Sequence, residues 1–147
     1  PSGPIGPAGP GFVLTNAGAT GTMNVGTTRF LPVTGWQAGW GSATVENLGQ
    51  QIAPIALTFS KLLVRAVFSA GSIGNVVVFK FRINGVDATQ IVTFTKLALG
   101  AETIQGQDIV NSDAVAIGDL IDTTVTGVTN VGVASDISTI QISYKTA

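Results

Sequence analysis

The side chains in this chain that could move a proton near neutral pH are carboxylates: Glu46, Asp87, Glu102, Asp108, Asp113, Asp119, Asp122 and Asp136. There is no His and no Cys. That removes Ser-His-Asp and Cys-His nucleophilic arrangements, ordinary zinc sites and disulfides together. What remains is carboxylate chemistry of the kind a glycosidase uses, which needs two such groups facing each other across a cleft. No spacing here sets a pair that way. Most of the eight stand beside Gly, Asn, Ser or Thr, where Asp is favoured because it hydrogen-bonds its own turn backbone. The expectation is turn or surface roles, no catalytic residue and no enzyme.

A second chemistry is ion binding. Asp108, Asp113, Asp119 and Asp122 fall in one segment and could offer oxygens to a loop or axial Ca²⁺. Neither the EF-hand spacing nor an Asp/Gly-rich nonapeptide repeat is present, so no metal and no cofactor is expected. A third chemistry is recognition. Trp36, Gln37 and Trp40 sit in Gly-Trp-Gln-Ala-Gly-Trp-Gly. Exposed indoles flanked by Gly can stack on sugar rings while Gln37 bonds a hydroxyl. The competing reading, and the stronger one, is that both indoles fill core or inter-subunit space, because Trp is highly buried on average.

The elements that must position these residues are β-strands. Short runs rich in Val, Ile and Thr alternate with Gly, Asn, Asp and Ser, and no useful 3.6-residue period is found. Val77, Phe79, Phe81 and Ile83 alternate with Val76, Val78, Lys80 and Arg82. Asn84-Gly85 follows, the preferred pair for a type I′ hairpin turn, and residues 86–95 return with Val92 and Phe94 on one face. Residues 61–70 place Leu62, Val64, Ala66 and Phe68 on one face. Their other face carries Lys61, Leu63, Arg65 and Val67, a mixture that suits a partly buried subunit contact. Leu63, Arg65 and Val67 are therefore the candidate interface. Residues 120–126 and 137–144 read as two further strands, the latter alternating Ile140, Ile142 and Tyr144 with Thr139, Gln141 and Ser143. Arg65, Lys80 and Arg82 could pair with acidic groups between subunits; solvated outer-face charges are the stronger reading for Lys80 and Arg82. Many short strands between turns predict an all-β antiparallel sandwich or barrel.

Before the strands comes a different polymer. Gly3, Gly6 and Gly9 hold a strict spacing of three, and Pro4, Pro7 and Pro10 each follow one. That is the collagen repeat, in which only Gly fits at the crowded axis of three polyproline-II chains. The frame breaks at Phe12. The chain therefore divides into a collagen-like stalk end at 1–11, a neck or first irregular strand at 12–26, and a β head at 27–147. A first residue of Pro instead of Met reads as a piece of a longer protein.

Composition points to self-association. Charged residues are 10% of the 147, against about 25% in a typical soluble domain, and mean hydropathy is +0.46. A monomer with so few charges would expose much apolar surface, which copies of itself would cover. No apolar run reaches the roughly 20 residues of a membrane span, so no membrane insertion is expected. A net charge of −1 with scattered basic residues argues against nucleic acid as a partner.

A Gly-X-Y tail leading into an all-β head resembles the trimeric heads that cap collagen-like stalks. These include tumour-necrosis-factor-like and complement-like jelly rolls, bacterial spore-surface filament glycoproteins, and bacteriophage or giant-virus fibres. Residues 76–87, Val-Val-Val-Phe-Lys-Phe-Arg-Ile-Asn-Gly-Val-Asp, are similar to the hairpin of phage and spore heads, and Ala116-Ile-Gly-Asp-Leu-Ile121 to a later strand entry. The resemblance implies a jelly-roll homotrimer with its last strand in the sheet nearest the three-fold axis. It also implies a structural role on a virion, or on a bacterial cell or spore surface. In that role the head nucleates the stalk, with attachment to a host glycan or protein receptor as the alternative.

Overall fold

The computed structural model describes residues 13–23, 27–37, 45–70, 73–128 and 135–146, and these form a β-sandwich of two sheets. In chain order the strands are β1 (Val13–Met23), β2 (Thr28–Leu31), β3 (Gly35–Gln37), β4 (Gln51–Ile52), β5 (Leu57–Phe68), β6 (Val76–Ile83), β7 (Val86–Thr95), β8 (Glu102–Val115), β9 (Leu120–Val128) and β10 (Ser135–Thr146). One four-residue helix, α1 (Glu46–Gly49), precedes β4. The first sheet runs β3-β1-β10-β5-β8 and the second β2-β9-β6-β7, with β4 paired to β9. All ladders are antiparallel except the short one between β1 and β3. From β5 onward the chain crosses between sheets at every connection but the β6–β7 hairpin, an order compatible with a jelly roll.

Alternation placed these strands correctly. Leu62, Val64, Ala66 and Phe68 of β5, Val77, Phe79 and Phe81 of β6, Val92 and Phe94 of β7, and Ile140, Ile142 and Tyr144 of β10 all point inward and are buried. Each Val, Leu, Ile or Phe among them contributes on the order of 1.5–3 kcal/mol when removed from water. At the centre, the rings of Phe59, Phe81 and Tyr144 meet with centroids 4.7–5.3 Å apart, and the Tyr144 hydroxyl reaches the Thr123 hydroxyl at 2.6 Å. The Asn84-Gly85 turn has φ of 51° and 79°, the two positive values a type I′ hairpin demands. The segment read as a neck or irregular strand forms β1, whose pairing with β10 slips register twice.

One side of the sandwich is closed by side chains. β8 ends the first sheet and β7 ends the second, so neither outer edge has a strand partner. Asp113 of β8 accepts from the Thr89 and Gln90 N–H groups of β7 at 2.8 and 3.2 Å, and Asp108 accepts from Ile91 N–H at 3.0 Å. Nearby, the β5–β8 ladder skips: Lys61, with φ 53°, stands against Ile109, Val110 and Asn111. Gln90 reaches across the core to this break. Its amide accepts from Leu62 N–H and donates to the Phe59 carbonyl, each at 3.1 Å, replacing lost ladder bonds.

Candidate functional site

The candidate interface residues lie on the outward face of β10, β5 and β8. Because β5 alternates strictly, burying Leu62, Val64 and Ala66 turns Leu63, Arg65 and Val67 outward together. Leu63 is 42% exposed, a large apolar side chain in the middle of a sheet, while Arg65 and Val67 are half-buried. The flanking strands present Gln105 and Gln107 on one side and Gln141 and Ser143 on the other. With Leu63 and Arg65, these four residues line a shallow concavity of about 500 Å³. Arg65 donates to the Gln141 side-chain oxygen at 3.1 Å, across the β5–β10 pairing that sets the two residues opposite each other. The face is thus amide-rich, with Arg65 the one charged group among the residues lining the concavity.

The structure brings Leu63, Arg65 and Val67 onto one surface, as their spacing requires. Gln141 and Ser143 were legible on the last strand, but Gln105 and Gln107 were missed because β8 was not read as a strand. Its inward positions in that stretch are Ile104, Gly106 and Asp108, a sequence without a clean apolar alternation. Gly106 has a packing reason: a Cβ there would fall 2.4 Å from Phe94 Cε1 and 2.8 Å from Val92 Cγ1, so the second sheet's side chains occupy that space.

Trp36 and Gln37 enter β3, a three-residue edge strand paired with Gly18 and Ala19 of β1. Trp40 and the collagen-spaced Gly3, Gly6 and Gly9 lie outside the described residues.

The charges read as solvated are engaged within the chain. Lys80 pairs with Asp87 at 2.7 Å. Arg82 is more enclosed than its strand position suggested, its side chain only 17% exposed, and its guanidinium meets Asp87 at 3.0 Å, Glu46 at 3.1 Å and Asp122 at 3.8 Å. It also donates to the Gly85 carbonyl and lies 5.6 Å from the Phe30 ring centre. Asp122 is 1% exposed. Burial, helped by the nearby Glu46 charge and opposed by Arg82, pushes its carboxyl up to about 7.

The other aspartates of that segment do separate work. Burial opposes the Asp108 charge. Bonds from the Asn111 amide and from the Ile91, Asn111 and Val110 N–H groups outweigh it and hold the carboxyl down at about 2. Asp119 caps a turn, accepting from the Asn84 amide and Ala116 N–H, which lower its pKa. Among the described residues, no group of three or more His, Cys, Asp or Glu is placed to hold a metal ion, and no helix is long and apolar enough to cross a membrane.

A further feature lies at the end of the sandwich opposite the start of β1. Lys96 is fully buried, its ammonium donating to the Ala98 and Gly100 carbonyls and lying 3.5 Å from Glu102. Glu102 in turn accepts from Leu97 and Ala98 N–H. The loop so held displays Leu97 and Leu99, 73% and 74% exposed. Its backbone is tied to the neighbouring turn by Gly74 N–H to Lys96 and Lys96 N–H to Asn75, which brings exposed Ile73 to the same end. No family model matches this chain, and no curated protein is similar enough to count as a relative.

Proposed function

We propose that this chain is the trimer-forming jelly-roll head of a collagen-like fibre, displayed on a virion or on a bacterial cell or spore surface. Its work is mechanical: it gathers three chains in register so that a Gly-X-Y stalk can wind, and it ends the fibre in a compact knob. The proposal assigns no reaction and no cofactor. The observation that supports it most is the outward face of β5, where Leu63 and Arg65 stand among uncharged glutamines and Val67 between Thr103 and Thr139. A sheet face of that composition is suited to contact with further copies of the chain: amides can both donate and accept across the contact, and Leu63 supplies apolar area without a charge to desolvate. The collagen spacing of Gly3, Gly6 and Gly9 supports three as the number of copies.

The deciding experiment is solution mass by light scattering after size exclusion. A mass near three times 14.9 kDa is expected. A monomer would overturn the reading and turn the Gly/Pro stretch into a linker.

A second reading, attachment to a host receptor, is favoured by the exposed Ile73, Leu97 and Leu99 on their braced loops. Apolar side chains with few hydrogen-bonding neighbours suit a protein surface more than a sugar. A glycan array should therefore stay silent; strong glycan binding would instead point back to Trp36, Gln37 and Trp40.

A further inference from the structure

Residues 45–52, which include α1 and β4, strap across the second sheet at the end where β6 turns into β7. Gly49 presses on Phe30 of β2 so closely that a Cβ would lie 2.8 Å from the Phe30 carbonyl carbon. Near Val45 the strap inserts Glu46 into the charged cluster. Gln50, at the far end of α1, interacts with the Asp122 carboxyl.

The cluster is one proton short of balance. Three carboxylates, Glu46 on the strap, Asp87 on β7 and Asp122 on β9, face two cations, Lys80 and Arg82 on β6. Lys80 and one arm of Arg82 are taken by Asp87. That leaves Glu46 and Asp122 to share the rest of a single guanidinium. Glu46 Oε1, 3.1 Å from the Arg82 guanidinium, and both oxygens of Asp122, which the Gln50 amide approaches, are buried with no hydrogen bond of good geometry among the described residues, and the two carboxyls lie within interaction range of each other. Two ionised carboxylates are acceptors only and cannot bond one another; with one proton between them they can. Beneath Asp122, Tyr144 of β10 is bonded to Thr123, and its own proton is held tightly by burial, so it does not titrate in this range.

From this arrangement we propose that residues 45–52 form a proton-dependent latch, closed while Asp122 holds a proton that bonds it to Glu46 and loosened when Asp122 ionises. Burial of Asp122 and the adjacent Glu46 charge place that transition near neutrality, where a carboxyl in water would have ionised long before. When closed, the latch covers Phe30 and the Asp122 end of the sheet. When loosened, it frees a short segment that carries Leu48 and Ile52, both already exposed.

The test is hydrogen exchange at the Gln50 amide, which donates to the Glu46 carbonyl at 3.1 Å and so reports closure of α1. After correction for intrinsic rates, its protection should fall on the order of tenfold or more from pH 5.5 to 8.5. Amides of the β7–β8 seam, such as Ile91, should hold theirs. Asp122→Asn supplies a donor that needs no proton, so protection should become independent of pH. Glu46→Gln, on the exposed side of the pair, should do the same. Equal protection of the wild-type Gln50 amide at both pH values, or an undiminished pH response in both variants, would overturn the latch.

Discussion

At the scale of single residues, the informative positions are those whose type runs against their place in a strand. Gly106 sits mid-strand, where glycine weakens a sheet. Lys96 is completely buried although lysine is almost never so. Each has a local cause. Lys96 is an ammonium enclosed by two carbonyls and a carboxylate, with the Phe68 ring centre 5.9 Å away, and its charge is answered on the spot. Gly106 leaves room for the Phe94 and Val92 side chains of the facing sheet. Gly106→Ala should therefore destabilise the fold by about 1–3 kcal/mol, the usual result of overfilling a packed core. A urea midpoint unchanged from wild type would show that Phe94 can move aside. Neither placement is announced in sequence, since a Gly between two glutamines or a Lys at the end of a strand is the common signature of a loop or a solvated edge.

At the scale of elements, the two unpaired edges β7 and β8 show how the sandwich avoids open pairing sites. An exposed strand edge is a template for association with another chain. Here, carboxylates of one edge strand cap the N–H groups of the other at Thr89, Gln90 and Ile91. The seam should fail in acid. Because Asp108 is held below the ordinary carboxylate range, its stabilisation is complete above about pH 4 and is lost as pH falls through about 2. Asp122 has the opposite sign: its raised carboxyl favours the folded state below about pH 4, and that advantage declines as pH rises through about 7. Urea midpoints across pH 2–5 should drop toward the acid side in wild type, and Asp108→Asn should flatten part of that slope. An identical slope in the variant would remove Asp108 from the account. The four aspartates first considered for calcium thus have three different tasks: seam, turn cap and buried partner of Arg82.

At the scale of the whole molecule, surface composition and strand order bear on assembly. A β-sandwich with 10% charged residues needs a use for its apolar exterior. Leu63, near the middle of the first sheet's outward face, is the position where a single charge should matter most. If copies meet there, Leu63→Glu should reduce the solution mass toward one chain with the β-sheet circular dichroism unchanged. It would introduce three like charges close to the axis of a trimer. A variant that keeps the wild-type mass would move the interface elsewhere.

What the sequence determined by itself is whatever depends on neighbours along the chain. Period-two burial on β5, β6, β7 and β10, the type I′ turn at Asn84-Gly85 and the all-β class are local consequences of side-chain alternation and backbone φ preference, and each was legible before folding. β8 was not, because its inward positions are chosen by what the other sheet places against them: Phe94 over Gly106, and the β7 backbone against Asp108 and Asp113. Only the tertiary structure decided which polar groups would meet. Glu46, Arg82 and Asp122 come from a helix and two strands far apart in sequence, and their energies depend on burial and on distances of a few ångströms. No spacing in the chain encodes those; the packing of the two sheets does.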